Sequence, residues 1–408
     1  MSPSELPASR PEREAPADAA APPSGRRVRV LQVVLNLHQG GLERIVGDLV
    51  RRLDPSRFEV HVLALQFLGQ LAEGLEDYAV LHVAPSQPRW SLLWPSTLAE
   101  AIRRIGPDVV HTHSGVWYKA SLAARMAGVP FLVHTDHGRQ SPDPFTHRFL
   151  DRLASARTDV VIAVSDVLGK QLATTVVRYP ERIQVVRNGV DTTSFAPRTD
   201  ATLREELGIA ADVPIIGSIG RLDPIKCFDI MIEALALVRE GWTRPSPAPV
   251  LVIAGDGPDR ERIEQRIRER ALERFVHLVG WREDVHALHA AFTIFSMSSR
   301  SEGTSIGLLE AMSAELCPVV TAVGGNPAVL GPALQHRLCA PENPVALANA
   351  WTDALSDDTH RRRDGRAARQ RVDDAFSLRA MVAAHEAIYL RGAGPDREAV
   401  ASNDEGQA

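Results

Sequence analysis

Two glutamates, Glu302 and Glu310, lie eight residues apart where an apolar strand pattern gives way to a helical one. Ser305 is typical of a helix N-cap, which places Glu302 in the loop before the helix and Glu310 on its second turn. A carboxylate beside the free N–H groups of a helix start can accept sugar hydroxyls, and one on the helix can accept a ribose diol. The alternative is one acid that favours the positive end of the helix and one ordinary surface glutamate.

Two cations, Arg221 and Lys226, follow an earlier apolar strand and precede a second helix. A guanidinium, an ammonium and the partial positive charge of a helix start together suit a diphosphate. The chain has 46 basic residues, of which only Lys119, Lys170 and Lys226 are lysine, so the position of Lys226 is notable. A solvated surface pair is the alternative.

A pair of glycines, Gly40 and Gly41, follows the first strand and leads into a helix. Because glycine has no Cβ, its backbone N–H groups can lie against an anion. A tight turn with no ligand is the alternative explanation.

Histidines concentrate in the first half of the chain. His111 and His113 alternate on one strand and therefore share a face, and His134 and His137 end the next strand. A metal site is not favoured, because the spacing fixes no set of carboxylate ligands.

Strand and helix patterns alternate between the two ends of the chain. The apolar runs predict strands that are covered on both faces, as in parallel sheets. These runs are Val28 to Leu35, Phe58 to Leu65, Val109 to His113, Phe131 to Thr135, Val160 to Val164, Gln184 to Val186, Ile215 to Ile219, Val250 to Ala254, Val276 to Val279, Phe292 to Ser296 and Val319 to Ala322. The pattern predicts an α/β protein made of two doubly wound, Rossmann-like domains.

The predicted domains span residues 27–190 and 191–376, and the turn-forming stretch near Asn188 to Asp191 is the expected hinge. Ser377 is positioned as an N-cap, so residues 377–392 are expected to form one closing helix. Residues 1–26 and 393–408 have no apolar period and are predicted to be disordered tails.

Composition excludes several classes of protein. The chain has 408 residues with 44% hydrophobic and 24% charged residues, which is typical of a globular protein. A net charge of -5 does not indicate a nucleic-acid partner. No apolar run is long enough to span a membrane, and the N-terminus lacks the apolar core of a signal peptide, so a cytoplasmic protein is expected. The three cysteines form no disulfide or zinc motif.

Taken together, these motifs resemble glycosyltransferase family 4 over residues 28 to 390. The chain has the family's E-x7-E element at Glu302 and Glu310, its Arg-x4-Lys pair at Arg221 and Lys226, and its N-terminal glycine pair. Its segment 319–327 is similar to the family's loop after the helix that carries the second glutamate. The local sequences of Glu302 to Met312 and Gly324 to Pro327 most resemble those of sugar transferases associated with exopolysaccharide assembly.

The resemblance implies a GT-B fold and a retaining transferase that moves a hexose from a nucleotide diphosphate sugar, UDP or GDP, to a hydroxyl acceptor. The acceptor is expected to be a lipid-linked or growing polysaccharide intermediate. No cofactor and no metal are expected, because Arg221 and Lys226 would stabilise the departing diphosphate. Gly40 and Gly41 would complete the anion site.

The resemblance also implies the remaining roles. Glu302, with the amides of Gly303, Thr304 and Ser305, would hold the sugar, and Glu310 would bind the ribose. His137 matches the family's active-site histidine near the reacting carbon on the acceptor side, and His113 is the second candidate there.

Three further expectations accompany this interpretation. A non-hydrolysing sugar-nucleotide epimerase and a non-catalytic nucleotide-sugar-binding subunit are the alternative functions. A possible contact with the inner membrane face is formed by Trp90, Leu92, Leu93 and Trp94, which have arginines nearby. The alternative is that these residues belong to a helix partly packed in the core.

The chain departs from the family pattern in three places. Cys227 stands where a glycine is common, Ala314 to Cys317 replaces the usual glycine-containing helix terminus, and Thr304 to Gly307 has fewer glycines than the loop of many relatives. If the backbone at Glu315 needs a positive φ, the residue costs about 1 kcal/mol of stability.

Overall fold

The computed structural model describes residues 26–38, 40–86, 89–138 and 144–394. The predicted tails at residues 1–26 and 393–408 lie outside the described residues, apart from residue 26 and residues 393–394 at their inner ends. Within the described ranges the chain forms two parallel sheets, each covered by helices.

The first sheet is built from the N-terminal half of the chain. Its described strands are β1 (Val28–Val34), β2 (Phe58–Ala64), β3 (Val80–Val83), β4 (Val109–His113), β5 (Phe131–Asp136), β6 (Val160–Ala163) and β7 (Ile183–Val185). The helices between them are α1 (Gly41–Arg52), α2 (Ser96–Ile105), α3 (Trp117–Met126), α4 (Phe145–Arg157) and α5 (Asp166–Thr175). The strand order is β3-β2-β1-β4-β5-β6-β7, with every pair parallel.

The second sheet repeats this design. Its described strands are β8 (Ile215–Ile219), β9 (Val250–Ala254), β10 (Val276–Gly280), β11 (Ile294–Met297), β12 (Cys317–Thr321) and β13 (Leu338–Cys339). The accompanying helices are α6 (Thr202–Leu207), α7 (Phe228–Glu240), α8 (Arg260–Glu269), α9 (Val285–Ala291), α10 (Ile306–Ser313), α11 (Asn326–Leu330), α12 (Pro344–Ala354), α13 (Asp358–Ala375) and α14 (Leu378–Ala393). The order is β10-β9-β8-β11-β12-β13, again all parallel.

Both sheets reverse their strand order at one point, between β1 and β4 and between β8 and β11. Ligands of open parallel sheets bind beyond the carboxyl ends of the strands at such a point, because the loops there diverge and leave a crevice. The predicted site residues all follow these strands or their neighbours. The fold therefore gathers two sets of predicted site residues, one from each sheet.

The last helix returns to the first sheet. Helix α14 follows α13 of the second unit, yet its Leu378, Met381, Ile388 and Tyr389 are buried in the same core as strands β1 and β4. The chain therefore crosses between the units twice. The crossings touch each other, because Val190 donates a backbone hydrogen bond to Phe376 and accepts one from Leu378.

The predicted strands agree with the structure to within two residues at each end. Two strands were missed: β3 is an edge strand with exposed residues, and β13 has two residues, so neither has a long apolar run. The strand expected from Phe292 begins at Ile294, because Phe292 ends helix α9.

The two departures from the family's glycines both have a positive φ, 52° at Cys227 and 61° at Glu315. Glu315 follows the last residues of α10, and its N–H and that of Leu316 donate to the carbonyls of Met312 and Ala311. These two bonds form a Schellman motif, which favours glycine at this position.

Candidate active site

Lys226 and Glu302 form the central ion pair of the candidate site. Lys226 ends a single helical turn that is capped by the Asp223 carboxylate, and Cys227 then turns the chain into α7. The Lys226 Nζ lies 2.6 Å from Glu302 Oε1, so two residues predicted separately from the sequence meet. The Ser299 hydroxyl donates to the same carboxylate oxygen at 2.5 Å. The Glu302 side chain is only 7% exposed, so the pair is held in a fixed geometry.

Glycines bring the loop of Glu302 against loops from both sheets. A Cβ on Gly303 would lie 2.4 Å from the backbone oxygen of His137, which follows β5 of the first sheet. A Cβ on Gly324 would lie 1.8 Å from the backbone oxygen of Glu302. Real Cβ atoms do not approach so closely, so only glycine fits at these two positions. The loop of Glu302 therefore lies between His137 and Gly324.

The loop continues into helix α10, which begins beside helix α1. Ser305 caps α10 by accepting a hydrogen bond from the N–H of Leu308, as its sequence position predicts. The Thr304 hydroxyl donates to the backbone oxygen of Val164 in the first sheet's domain at 3.0 Å. A Cβ on Gly41, the first residue of α1, would lie 3.5 Å from Ile306, the first residue of α10. Two helix N-termini therefore meet, and their free N–H groups favour an anion.

Glu310 lies one and a half turns into α10 and is buried, with 2% of the residue exposed. The alternative of an ordinary surface glutamate is therefore wrong. Its Oε1 lies 2.9 Å from Nη1 of Arg44 on helix α1, and the two side chains form an ion pair. Its Oε2 has no hydrogen-bond partner among the described residues and lies 3.8 Å from His289 Nε2. One carboxylate oxygen is thus paired across the two units and the other is unpaired.

The first turn of α1 places a carboxylate at the predicted anion site. A Cβ on Gly40 would lie 2.2 Å from Glu43 Oε2, so the Glu43 carboxylate folds back over the helix start. Burial raises the pKa of Glu43, while a backbone hydrogen bond and the positive charge of Arg221 oppose that rise. The Arg221 side chain is 66% exposed and lies 3.8 Å from Asp223. Arg221 is therefore near the anion site but free to turn toward a ligand.

The predicted histidines split into two groups. His113 Nδ1 lies 3.1 Å from His137 Nε2, and the rings of His111 and His113 lie 4.3 Å apart. His134 instead stacks on Trp117, with ring centroids 3.8 Å apart, and so faces the other side of the sheet. His385 of helix α14 joins the first group, with its ring 5.6 Å from that of His111.

The histidines of this imidazole cluster, His111, His113, His137 and His385, are held neutral. Burial is the largest cause in each case, because it removes water from the charged form. It lowers the pKa of His137 to about 3 and that of His385 to about 4. The pKa values of His111 and His113 also fall well below the ordinary value, through burial and the neighbouring imidazoles.

Sequence reasoning missed several contributors to the site. Glu43 and Arg44 lie two and three residues after Gly41, so their charge in the first turn of a helix is a signal that the sequence offers. Ser299 precedes Glu302 by three residues. Tyr389 and His385 carried only a helical period, so nothing in the sequence indicated that they reach the first sheet.

Two other expectations concern metal ions and the membrane. Among the described residues, no group of three or more His, Cys, Asp or Glu side chains is arranged to hold a metal ion. No helix in the described part of the chain is long and apolar enough to cross a membrane. Leu92, Leu93 and Trp94 are 46%, 76% and 60% exposed. The side chain of Trp90 lies outside the described residues.

Comparison with known protein families gives two matches. Residues 39–194 match the model described as glycosyltransferase family 4, and residues 199–371 match glycosyl transferases group 1. The first match covers strands β2 to β7, and the second covers strands β8 to β13. The resemblance inferred from the motifs is therefore confirmed.

Individual relatives agree with these family matches. The glycosyltransferase EpsF of Bacillus subtilis (strain 168) is 29% identical over 344 residues, 80% of this chain and 87% of that protein. An Escherichia coli UDP-Gal:alpha-D-GlcNAc-diphosphoundecaprenol alpha-1,3-galactosyltransferase is 27% identical, covering 74% of this chain and 81% of that enzyme. D-inositol 3-phosphate glycosyltransferase of Jonesia denitrificans is 30% identical, covering 72% of this chain and 74% of that enzyme.

A solved structure shows the same architecture. The crystal structure of Anabaena HepE in complex with UDP and glucose has a TM-score of 0.76 and 21% identity, covering 89% of this chain and 99% of that one. The predicted GT-B fold is confirmed by this similarity.

Proposed function

The chain belongs to glycosyltransferase family 4, and from that premise we propose that it transfers a hexose from UDP-hexose or GDP-hexose to a hydroxyl, with retention of the anomeric configuration. The pairing of Lys226 with Glu302, beside the meeting helix N-termini of α1 and α10, carries this proposal. A diphosphate needs cations and free N–H groups, and a sugar needs a fixed carboxylate acceptor. Both are present within one small region.

Charge stabilisation of the leaving group is the first step of the proposed mechanism. Arg221 and Lys226 bind the diphosphate oxygens, where negative charge grows as the bond to the sugar breaks. The N–H groups at Gly40 and Gly41 add donors from the other domain. Fixed donors aimed at the developing charge cost no reorganisation during the reaction, so they lower the barrier.

In the proposed mechanism, groups of the bound donor take the place of protein groups that contact each other in this structure. The diphosphate takes the place of the Glu43 carboxylate over the start of α1, and the ribose diol donates to Glu310 in place of Arg44. Glu302 remains with Lys226 and accepts a sugar hydroxyl.

His137 supplies the acceptor side of the proposed site. Its backbone oxygen faces Gly303 across the two units, so the histidine lies beside the loop that holds the sugar. Its imidazole is neutral and therefore offers a hydrogen-bond acceptor as well as a donor. His113 contacts the His137 ring and supports it.

The donor is identified by thermal unfolding with a panel of UDP-, GDP- and ADP-sugars. A ligand that binds only the folded protein stabilises it by about 2.7 kcal/mol at 100 times its Kd. We expect a UDP- or GDP-hexose to raise the Tm of the wild type, and to raise that of Lys226→Ala much less. Absence of any shift across the panel at millimolar concentration would count against the proposal.

The epimerase alternative is separated from transfer by its product. An epimerase converts the sugar nucleotide without any acceptor, whereas a transferase releases free nucleoside diphosphate and glycosylates a hydroxyl. Proton NMR of the donor incubated alone, and then with candidate alcohol acceptors, distinguishes the two reactions. The anomeric coupling of the product, compared with that of the donor, reports retention. The non-catalytic alternative predicts no change in either incubation.

The acceptor is proposed to be a lipid-linked or growing polysaccharide intermediate. The support is the name of the Escherichia coli relative, which acts on a sugar carried by diphosphoundecaprenol. The exposed Leu92, Leu93 and Trp94 suit contact with a lipid surface. Flotation with anionic liposomes at low salt tests this contact. We expect Leu93→Glu to reduce flotation, and Val345→Glu, at an exposed valine of the second domain, to leave it unchanged.

A further inference from the structure

A continuous chain of hydrogen bonds joins His137 to the last helix through the interior of the first sheet. It runs from His137 to His113 on β4, to Gln32 on β1, and to Tyr389 on α14. The successive heavy-atom distances are 3.1, 2.9 and 3.0 Å. The Tyr389 oxygen then lies 2.6 Å from His111 Nδ1.

The members of this chain behind His137 are excluded from water. Gln32 and Tyr389 are 0% exposed, and His113 is 1% exposed. A buried polar group pays its full desolvation cost unless it is hydrogen-bonded, so each link is held by its neighbours. In each interior hydrogen bond of this series, the same group therefore remains the donor and the same group remains the acceptor.

The amide of Gln32 fixes those directions, because one end donates and the other accepts. Its Nε2 donates to the Tyr389 oxygen and its Oε1 accepts from His113 Nε2. A neutral His113 that carries its hydrogen on Nε2 has a lone pair on Nδ1. His113 Nδ1 must then accept from His137 Nε2, which leaves the lone pair of His137 on Nδ1.

We infer that Gln32 and Tyr389 are positioning residues for His137, setting which of its ring nitrogens carries the hydrogen. This inference rests on the proposed function for its effect on turnover. The Nδ1 lone pair of His137 is the acceptor offered to a hydroxyl of the transferred sugar or its acceptor. A His137 with the opposite tautomer would present an N–H there, and the hydroxyl would have to reverse its own hydrogen bond.

This series of hydrogen bonds also gives a reason for the return of α14 to the first sheet. Gln32 and Tyr389 are 357 residues apart in sequence, and α14 packs on β1 and β4. The second crossing of the polypeptide between the units thus delivers the tyrosine hydroxyl that links Gln32 to His111. Transfer activity therefore depends on a hydroxyl that lies on the last helix and contacts neither the donor nor the acceptor.

The direct test is the tautomer of His137, measured by nitrogen-15 NMR on protein with labelled histidine and assigned by comparison with His137→Asn. We expect the hydrogen on Nε2 in the wild type at pH 7. We expect Tyr389→Phe, which keeps the ring but removes the hydroxyl, to give a mixture of tautomers. Gln32→Met breaks the hydrogen-bond chain one residue closer to His137 and should also give a mixture of tautomers. The two variants together keep the test valid if one of them fails to fold.

Turnover is the second readout. We expect both variants to lower kcat at least about 10-fold, because the acceptor nitrogen is misplaced, while the Kd of free nucleoside diphosphate stays unchanged. Tyr179→Phe is the matched control, since its ring contacts Arg182 and its hydroxyl lies outside the chain. This control should leave both the tautomer and kcat unchanged.

The outcomes separate the two proposals. A wild-type His137 with its hydrogen on Nδ1, or variants that retain both the wild-type tautomer and kcat, would overturn the inference. A tautomer that shifts in the variants of a protein without transferase activity would support the hydrogen-bond chain and count against the proposed function.

Discussion

Two polar clusters lie on opposite sides of the candidate site and are built on opposite principles. The donor-side cluster, defined by Lys226, Glu302, Arg44 and Glu310, consists of charged groups in ion pairs. The imidazole cluster consists of histidines that burial holds neutral. The first has partners that a charged ligand can replace, and the second has a hydrogen-bond order that neutrality preserves.

Under the proposed function, this difference lets one site meet two chemical demands. A departing diphosphate needs full positive charge close by, which the donor-side cluster can supply because its pairs lie where the two domains meet. The acceptor hydroxyl of the proposed reaction can hydrogen-bond to a neutral imidazole, which offers both a donor and an acceptor. The donor-side cluster joins Arg44 of the first domain to residues of the second, whereas the imidazole cluster lies against the first sheet alone, so each has its own degree of burial.

The largest expected effect breaks the donor-side cluster. Lys226→Ala should lower kcat by at least about 10²-fold, because a charge-stabilising donor is lost. Steady-state release of nucleoside diphosphate measures this. Lys170→Ala, at an exposed lysine of α5, is the matched control and should keep wild-type turnover. Unchanged turnover in Lys226→Ala would reject the assigned role.

The imidazole cluster should reveal itself through pH. A histidine whose pKa is lower in the folded than in the unfolded state stabilises the fold fully above about pH 6.5 and progressively less as the pH falls. For His385, with a folded pKa of about 4, the loss between pH 7.5 and pH 5 is about 2 kcal/mol. Urea unfolding at several pH values measures it.

The matched comparison for this pH effect uses two substitutions. His385→Gln should flatten the fall in the free energy of unfolding below pH 6.5, because the buried titrating group is gone. His360→Gln, at an exposed histidine of α13, should leave the pH dependence as in the wild type. Equal pH dependence in all three proteins would show that burial does not hold His385 neutral.

A smaller expected effect, on nucleotide affinity, tests whether Glu310 binds the ribose of the donor. Glu310→Gln should raise the Kd of the free nucleotide about 10-fold, because a hydrogen bond to a charged acceptor contributes about 1.5 kcal/mol more than one to a neutral group. Isothermal titration with UDP and GDP measures this. Glu315→Gln, at an exposed glutamate just after the same helix, should bind as the wild type does.

The smallest effect lies outside both clusters and sets the baseline for stability. Glu315→Gly should raise the free energy of unfolding by about 1 kcal/mol, because glycine adopts a positive φ without steric cost. Thermal or urea unfolding measures the gain, and turnover should not change. Glu315→Ala keeps the strained backbone and is expected to bring no gain, so an equal gain in both variants would point to the loss of the carboxylate instead.

Much of the donor side could be predicted from residue order. Arg221, Lys226, Glu302 and Glu310 all follow strands of the second sheet, and parallel strands bring such residues to one edge. Ser305 caps its helix as expected, because capping depends on local sequence. Glu43 and Arg44 belong to the same site but come from the first domain, and only their charge in the first turn of a helix points to them in the sequence.

The acceptor side was predicted less completely. His137 and His113 were named as candidates, and their contact at 3.1 Å agrees with neighbouring parallel strands. Tyr389 and His385 were placed only on a closing helix. Their contribution could not be predicted, because a helical period shows which face is buried but not which sheet the face packs against.

The sequence by itself determined the family, the two sheets and most residue types at the site, because periodicity, caps and motif spacing are local properties of the chain. Only the tertiary structure decided which charges are paired, which histidines are neutral and which hydroxyl joins the interior hydrogen-bond chain. Those properties depend on burial and on contacts between residues hundreds of positions apart. Desolvation and hydrogen-bond direction are set by the three-dimensional surroundings of a group and not by its neighbours in sequence.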